Sequence, residues 1–320
     1  MTLPSSVVIS EEGPREGFQI EPGPIAAADK IALIDALGRT GLKYIQAVSF
    51  VNPKRVPGMA DAEEVVGGMT LTPGVEYSSI WFNEMGLLRA WALRDRLTIA
   101  GKIRAYPSNA FLKKNLNRSH EEHLEYTRYE IGRYKDMGIP VSEASVTAAF
   151  GCNFAGEIPV ERVLSEIAAL KALIVEHDLP INVVSLADTM AWATPNTIKR
   201  VVGAVQDRFP EFDVSLHLHD TRGMAIANAF AGLEMGVVYF DAAVGGLGGC
   251  PFAAHRGAAG NISTEDLVFM CHEMGIETGI DLDALIECAL LAERIVGHPL
   301  PGQVMRGGTL AKFREGARSR

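Results

Sequence analysis

The sequence lacks the features of a membrane, disulfide-rich or nucleic-acid-binding protein. No apolar run approaches the roughly 18–20 residues needed for a transmembrane helix. Only four cysteines occur among 320 residues, and none has CxxC spacing, which is typical of reduced thiols in a cytoplasmic protein. A net charge of −9 offers no basic surface to nucleic acid. Residues 1–6 have neither a basic segment nor an apolar core, so we expect no signal peptide.

The pattern along the chain predicts strands that alternate with helices. With 48% hydrophobic and 22% charged residues, the chain can form one large globular domain. Apolar runs predict eight strands, at residues 7–11, 44–50, 76–82, 97–106, 141–150, 181–188, 213–219 and 239–244. Apolar residues that recur every three or four positions predict helices at residues 26–39, 60–66, 83–93, 120–137, 160–177, 195–209 and 223–235.

Repeated strand–helix units favour a parallel sheet with the helices outside it. Eight units in about 250 residues are typical of a (β/α)8 TIM barrel. An open doubly wound sheet is the alternative, but no GxGxxG motif follows the first strand. We therefore predict an α/β protein whose residues 1–280 form a (β/α)8 barrel. Residues 281–320 should add C-terminal helices and a mobile basic tail that packs on or near the barrel. We also expect a homo-oligomer.

The segment His217-Leu218-His219-Asp220 is the most informative part of the sequence. In an extended strand, residues two apart point to the same side, so both imidazoles can bind one cation. Two histidines with ordinary hydrogen bonds near a strand end are the alternative, because this spacing alone is a weak signal. Working residues of (β/α)8 barrels lie at the C-terminal ends of the strands. Polar residues occur at the other predicted strand ends too: Glu11, Glu12, Arg15, Glu16, Gln46, Ser49 and Asp188.

Several segments of the sequence together resemble one enzyme family. The first is Glu12-Gly13-Pro14-Arg15-Glu16-Gly17-Phe18-Gln19, after the first strand. The others are Ser49-Phe50-Val51-Asn52-Pro53-Lys54, residues 216–223, the cysteine segment 246–252 and residues 257–268. These motifs resemble those of the hydroxymethylglutaryl-CoA lyases, and the resemblance covers most of residues 7–279. The wider group contains barrel-type, metal-dependent lyases and synthases that act on carbon–carbon bonds.

The resemblance implies a metal site and a set of residues around it. The implied metal ligands are Glu16, His217, His219 and Asn261. Imidazoles combined with oxygen ligands favour Mg²⁺ or Mn²⁺. The implied catalytic residues are Arg15, Asp188, His217, Cys250 and Glu265, and the implied substrate-binding residues are Gln19, Gln46 and Ser49.

The resemblance also implies a reaction. The cation would hold the substrate's hydroxyl and a carbonyl or carboxylate oxygen, and Asp188 or His217 would take the hydroxyl proton. Cleavage would release a keto product and a thioester enolate. Arg15 would stabilise the enolate oxygen, and Cys250 would deliver a proton to the enolate. The expected partner is a small acyl-CoA substrate.

These assignments have simpler structural alternatives. Arg15 and Glu16 could form a surface ion pair. The sole role of Asp188 could be to cap the next helix. Asn261 could be a turn residue. Glu265 could serve the dipole of a helix that begins near it.

The sequence departs from the family pattern at positions around the implied site. The family normally has aspartate at the position of Glu16, glutamate at that of Gln46 and an apolar residue at that of Glu12. Glu12 could restore the charge missing at Gln46, or it could point to the opposite side. Cys250 could be a buried apolar residue, although four of the five preceding residues are glycines.

Taken together, the sequence predicts a divalent-metal-dependent carbon–carbon lyase of the hydroxymethylglutaryl-CoA lyase type. It would cleave a β-hydroxyacyl-CoA to acetyl-CoA and a keto product, and its acyl group can differ from that of hydroxymethylglutaryl-CoA. A Claisen-type synthase or ketoacid aldolase of the same superfamily is the enzymatic alternative. A non-catalytic barrel that binds a metal or another ligand is the alternative from another class.

Overall fold

The computed structural model describes residues 3–248, 260–311 and 313–314, and these residues contain one eight-stranded sheet. Its strand order is β3-β2-β1-β8-β7-β6-β5-β4, and the strand pairs described are parallel. The strands are β1 (Val8–Glu11), β2 (Tyr44–Ser49), β3 (Glu76–Ile80), β4 (Gly101–Ala105), β5 (Val141–Val146), β6 (Val183–Ala187), β7 (Asp213–His217) and β8 (Tyr239–Ala242). All eight predicted strands are present, each somewhat shorter than its apolar run.

Helices follow the strands along the chain. They are α1 (Gly13–Ile20), α2 (Ala27–Leu37), α3 (Ala62–Gly68), α4 (Glu84–Trp91), α5 (Asn109–Leu116), α6 (His120–Asp136), α7 (Val160–His177), α8 (Pro195–Arg208), α9 (Ala225–Glu234), α10 (Thr264–Glu273), α11 (Leu282–Val296) and α12 (Val304–Gly307). The seven helices predicted between strands are confirmed, and so are the helix that begins near Ser263 and the first C-terminal helix. Among the described residues, no helix has the length and apolar character needed to cross a membrane.

Three helices were not predicted, for separate reasons. Helix α1 begins at a Gly-Pro pair that resembles a loop, yet proline is well accommodated in the first turn of a helix. Helix α5 is short and depends on Ser108, whose side chain accepts a hydrogen bond from the Phe111 N–H. Helix α12 lies in the segment predicted to be a tail. Its first turn is held by Asp266, which accepts hydrogen bonds from the backbone N–H groups of Gln303 and Val304.

The chain forms two compact units, and the first consists mainly of residues 99–241. Within it, β4 to β8 pair in sequence order. Many of their apolar side chains are buried, and Val184 and Leu216 are 0% exposed. Ala187 is in register with His217, and His217 with Asp241. This register aligns the C-terminal ends of β6, β7 and β8.

Of the described residues, the second unit contains 5–98, 242–248, 260–311 and 313–314. In this unit β1 pairs with β2, and β2 with β3. A register irregularity between Gln46 and Val48 interrupts the second pairing. After β1 the chain turns at once into α1, and the Glu12 N–H donates to the carbonyl oxygen of Ala242 over 2.8 Å. The residues of the motif 12–19 are therefore held on a short helix at the end of β1.

Candidate active site

In the first unit, two histidines lie together at the end of β7. His217 is the last residue of the strand, and His219 follows two positions later. Their ring centroids are 5.0 Å apart, with the ring planes at 66°. The two imidazoles therefore offer neighbouring nitrogen ligands, as the alternation of a strand predicts.

Each of these histidines has its Nδ1 next to an oxygen acceptor. His217 Nδ1 lies 3.2 Å from Asp241 Oδ2, and His219 Nδ1 lies 3.0 Å from the carbonyl oxygen of Asp188. An Nδ1 that faces an acceptor carries the proton, so the lone pair is on Nε2. This arrangement is typical of histidines that bind metals. Asp241 was not recognised in the sequence, because it lies within an ordinary strand and belongs to none of the motifs.

Asp188 presents a buried carboxyl group beside these histidines. Its Oδ1 accepts hydrogen bonds from the N–H groups of Trp192 and Ala193, at 2.7 and 3.1 Å. Within the described part of the chain, its buried Oδ2 has no hydrogen-bond partner. Burial raises the pKa of Asp188 to about 7. The alternative of a helix cap is wrong, because α8 begins only after its own N-cap, Thr194.

In the second unit, three oxygen acceptors hold the guanidinium of Arg15. Nη2 lies 2.5 Å from Glu12 Oε2, Nη1 lies 2.7 Å from Glu16 Oε1, and Nε donates to Gln46 Oε1. The side chains of Arg15 and Glu16 are only 11% and 12% exposed. The alternative of a surface ion pair is therefore wrong.

The buried carboxylate of Glu11 fixes the start of α1. Its Oε1 accepts hydrogen bonds from the N–H groups of Gly13 and Val244, at 2.7 and 2.9 Å, and its Oε2 accepts one from the Thr264 hydroxyl. A Cβ atom at Gly13 would lie 2.6 Å from Glu11 Oε1, so this close approach requires glycine. Burial raises the pKa of Glu11 to about 7. Through these bonds, Glu11 holds in place the segment that carries Arg15 and Glu16.

Asn261 lies next to Glu16 and is 2% exposed. Its Nδ2 donates to Glu16 Oε2 over 2.6 Å and to the carbonyl oxygen of Leu247 over 3.2 Å. Its buried Oδ1 has no hydrogen-bond partner among the described residues. The two hydrogen bonds of Nδ2 orient the side-chain amide. Asn261 therefore does not serve only to form a turn.

The remaining predicted residues are Gln19, Ser49, Glu265 and Cys250. Ser49 donates to Gln19 Oε1 over 2.8 Å, so these two predicted substrate-binding residues are in contact. Glu265 lies in the first turn of α10 and is fully buried, and its Oε2 accepts a hydrogen bond from the Gly245 N–H. Burial raises the pKa of Glu265 to about 8. Cys250 lies outside the described residues, which resume at Gly260.

Each unit contains donor groups of types that bind divalent cations. The first unit has the imidazole nitrogens of His217 and His219. The second has the carboxylate of Glu16 and the amide oxygen of Asn261, which lacks a hydrogen-bond donor within the described ranges. A cation is a natural partner for such an oxygen, because it needs no hydrogen atom to bind. Imidazole nitrogens, carboxylate oxygens and amide oxygens are all ligand types that Mg²⁺, Mn²⁺ and related ions accept.

The chain has eight strand–helix units. Buried acids, two oriented histidines and an arginine lie near the ends of its strands. These features define a (β/α)8 enzyme. Residues 6–291 match the family model described as HMGL-like. The chain belongs to this family.

Relatives in the family are hydroxymethylglutaryl-CoA lyases. One, from Bacillus subtilis (strain 168), is 38% identical over 303 residues, which cover 95% of this chain and 97% of the relative. A crystal structure of the Bacillus subtilis lyase has a TM-score of 0.86 at 36% identity and covers 96% of this chain and 99% of that one. A lyase from Acinetobacter baumannii, solved with coenzyme A and 3-methylmalate, has a TM-score of 0.84 at 36% identity and covers 97% and 98%. The predicted TIM-barrel fold is thus confirmed, and the chain is a lyase.

Proposed function

We propose that this lyase cleaves a β-hydroxyacyl-CoA to acetyl-CoA and a keto product, with hydroxymethylglutaryl-CoA as the first candidate substrate. The observation that carries the proposal is the relation to named hydroxymethylglutaryl-CoA lyases over nearly the whole of both chains. The solved complex of one such lyase with coenzyme A supports a CoA thioester as the substrate. A cytoplasmic location and a homo-oligomer remain predictions.

We propose Glu16, His217, His219 and Asn261 as the ligands of a divalent cation, in keeping with the metal dependence of the family. When bound, the cation supplies Lewis-acid chemistry that lowers the pKa of the substrate hydroxyl. Mg²⁺ and Mn²⁺ are the proposed ions. The oriented imidazoles of His217 and His219 and the Asn261 Oδ1 support these assignments.

The side chains of the protein carry the proton transfers. Asp188 Oδ2 takes the proton from the substrate hydroxyl, and the bond between the hydroxyl-bearing carbon and the thioester α-carbon breaks. The electron pair of that bond passes to the thioester as an enolate, whose oxygen Arg15 stabilises through its guanidinium. Cys250 then protonates the α-carbon, which gives acetyl-CoA. Gln19, Gln46 and Ser49 are proposed to contact the substrate, and Glu265 to support the site.

A direct assay tests this function. Protein freed of metal by chelation would be given Mg²⁺ or Mn²⁺ and a panel of β-hydroxyacyl-CoA thioesters, and acetyl-CoA release would be measured. We expect release only with added metal, and faster release for one acyl group. If release does not depend on metal, the proposed ligands have no role. If acetyl-CoA is consumed with a keto acid but never released, the synthase alternative is correct.

A further inference from the structure

The side chains of Glu12 and Gln46 form one hydrogen-bonded unit with Arg15. Gln46 Oε1 accepts from Arg15 Nε, and Gln46 Nε2 donates to Glu12 Oε1 over 3.4 Å. The other oxygen of Glu12 accepts from Arg15 Nη2 over 2.5 Å. The three side chains thus form a closed ring of hydrogen bonds, in which the carboxylate and the amide hold two edges of the guanidinium.

The identity of residue 46 depends on the identity of residue 12. The amide of Gln46 can accept from Arg15 and also donate to Glu12, whereas an ionised carboxylate at position 46 would have no hydrogen to donate. Glutamate at position 46 would place two carboxylates at about the 3.4 Å that now separates the Gln46 amide from Glu12. Like charges this close disfavour ionisation of both groups or push them apart. Both side chains lie near the buried Arg15, where water screens the repulsion poorly.

Glu12 is one of two carboxylates that contact the arginine. Glu12 is 6% exposed, and its bond to Arg15 joins two ionised groups, which makes it stronger than a bond between neutral groups. Glu16 also contacts the guanidinium, at Nη1, but its second oxygen accepts from Asn261. Glu12 thus contacts Arg15 with one oxygen and Gln46 with the other, whereas Glu16 is shared between Arg15 and Asn261.

We propose that Glu12 is a positioning residue for Arg15 and that Gln46 is its matched partner, so that the pair sets the direction in which the guanidinium meets the substrate. This inference rests on the proposed function for Arg15. An arginine that stabilises an enolate must face one oxygen atom at a fixed distance, and a misplacement of about 1 Å can cost about 10²-fold in rate. The pair is thus proposed to act on turnover through Arg15 and not as a ligand of the cation.

The test is an exchange of the two side chains. The variants Glu12→Gln and Gln46→Glu would be compared with the double variant, which restores one amide and one carboxylate in reversed places. We expect each single variant to lower kcat by about 10- to 100-fold with a small change in KM. The double variant should recover most of the loss, because the amide then at position 12 can donate to the carboxylate at position 46, which still accepts from Arg15. Losses that simply multiply in the double variant would overturn the proposal.

Two controls separate positioning from other roles. Glu63→Gln removes the carboxylate from another Arg–Glu pair of the same unit, Glu63 with Arg89, and should leave kcat and KM unchanged. The dissociation constant for Mn²⁺, measured by calorimetric titration, should be the same in Glu12→Gln as in the parent protein. A large loss of Mn²⁺ affinity would make Glu12 a metal ligand and would overturn the positioning role.

A readout without catalysis distinguishes this inference from the proposed function. The four proteins of the exchange would be unfolded thermally, and the coupling between positions 12 and 46 would be taken from their stabilities. If the coupling is favourable but the protein cleaves no acyl-CoA, the interaction between residues 12 and 46 is supported and the proposed lyase substrate is rejected. Additive effects on both stability and kcat, in a protein that does cleave its substrate, would reject the pair and leave the lyase function in place.

Discussion

Asp241 holds His217 across neighbouring strands, with its Oδ2 3.2 Å from the histidine Nδ1. The strands are in register at these two residues, so the contact follows directly from the pairing of β7 with β8. A carboxylate at Nδ1 keeps the proton there and makes Nε2 a better ligand. The strand register thus determines which nitrogen of His217 can bind a cation.

Replacement of this carboxylate should weaken metal binding. Asp241→Asn puts an amide at Nδ1, which can donate a hydrogen and so favour the wrong tautomer. We expect Mn²⁺ affinity to fall by about 10- to 100-fold, as measured by calorimetric titration. Asp213→Asn is the matched control, since Asp213 is an exposed residue of β7, the strand that carries His217. Equal affinities for the Asp241 variant and the parent protein would show that Asp241 does not act on a ligand.

His219→Ala should lower the amount of bound metal. His219 is only 4% exposed, and its Nδ1 is held by the Asp188 carbonyl. Removal of the imidazole takes away one proposed ligand, so the purified variant should contain less metal by elemental analysis. His272→Ala removes an exposed histidine that contacts Thr278, and it should retain full metal content. Unchanged occupancy in His219→Ala would exclude the residue as a ligand.

Cys250→Ala should reduce turnover while metal content stays intact. A group that delivers a proton in the rate-limiting step typically contributes about 10²- to 10⁴-fold in rate, and we expect a loss of kcat of that size. Cys271→Ala is the control, because Cys271 is buried in α10 and burial raises the pKa of its thiol to about 12. Turnover at the parent rate in Cys250→Ala would remove this thiol from the reaction.

Glu265 should make the protein less stable as the pH rises. Burial raises its pKa from the ordinary 4.5 to about 8, so the folded protein binds a proton that the unfolded chain releases. The stability from this group is fully present below pH 4.5 and is lost as the pH rises towards about 8. The loss should be on the order of a few kcal/mol.

Urea unfolding at pH 5, 7 and 9 would measure this effect. Glu265→Gln cannot ionise and should show a flatter dependence on pH, whereas Glu64→Gln, at an exposed residue of α3, should follow the parent protein. Parallel curves for Glu265→Gln and the parent protein would mean that Glu265 is not neutral when folded.

The fold could be predicted from the sequence because it depends on repeated local signals. Each strand carries apolar residues at buried positions, and most helices repeat apolar residues at the spacing of one turn. Helix α1 was not predicted, because glycine and proline, which occur at Gly13, Pro14 and Gly17, usually interrupt helices. What permits the helix is tertiary: the Glu11 carboxylate binds the Gly13 N–H, and Leu247 packs so near Gly17 that a Cβ would lie 2.8 Å from it.

The sequence predicted only some of the site residues, because the contacts among the others depend on the direction in which their side chains point. Motifs indicated Arg15, Glu16 and the two histidines. They could not show that Glu12 faces Gln46, since that depends on the turn between β1 and α1. Nor could they show Asp241, which reaches His217 only through the pairing of two strands.

Asp188 is joined to His219 by its backbone and to the turn after β6 by its side chain. The two attachments are chemically independent, because a carbonyl oxygen is present whatever amino acid occupies the position. Substitution of the acid at residue 188 would therefore leave in place the carbonyl oxygen that orients the neighbouring imidazole. We expect Asp188→Asn to lose turnover and to retain its cation, which would make it a suitable protein in which to trap an intact substrate for crystallography.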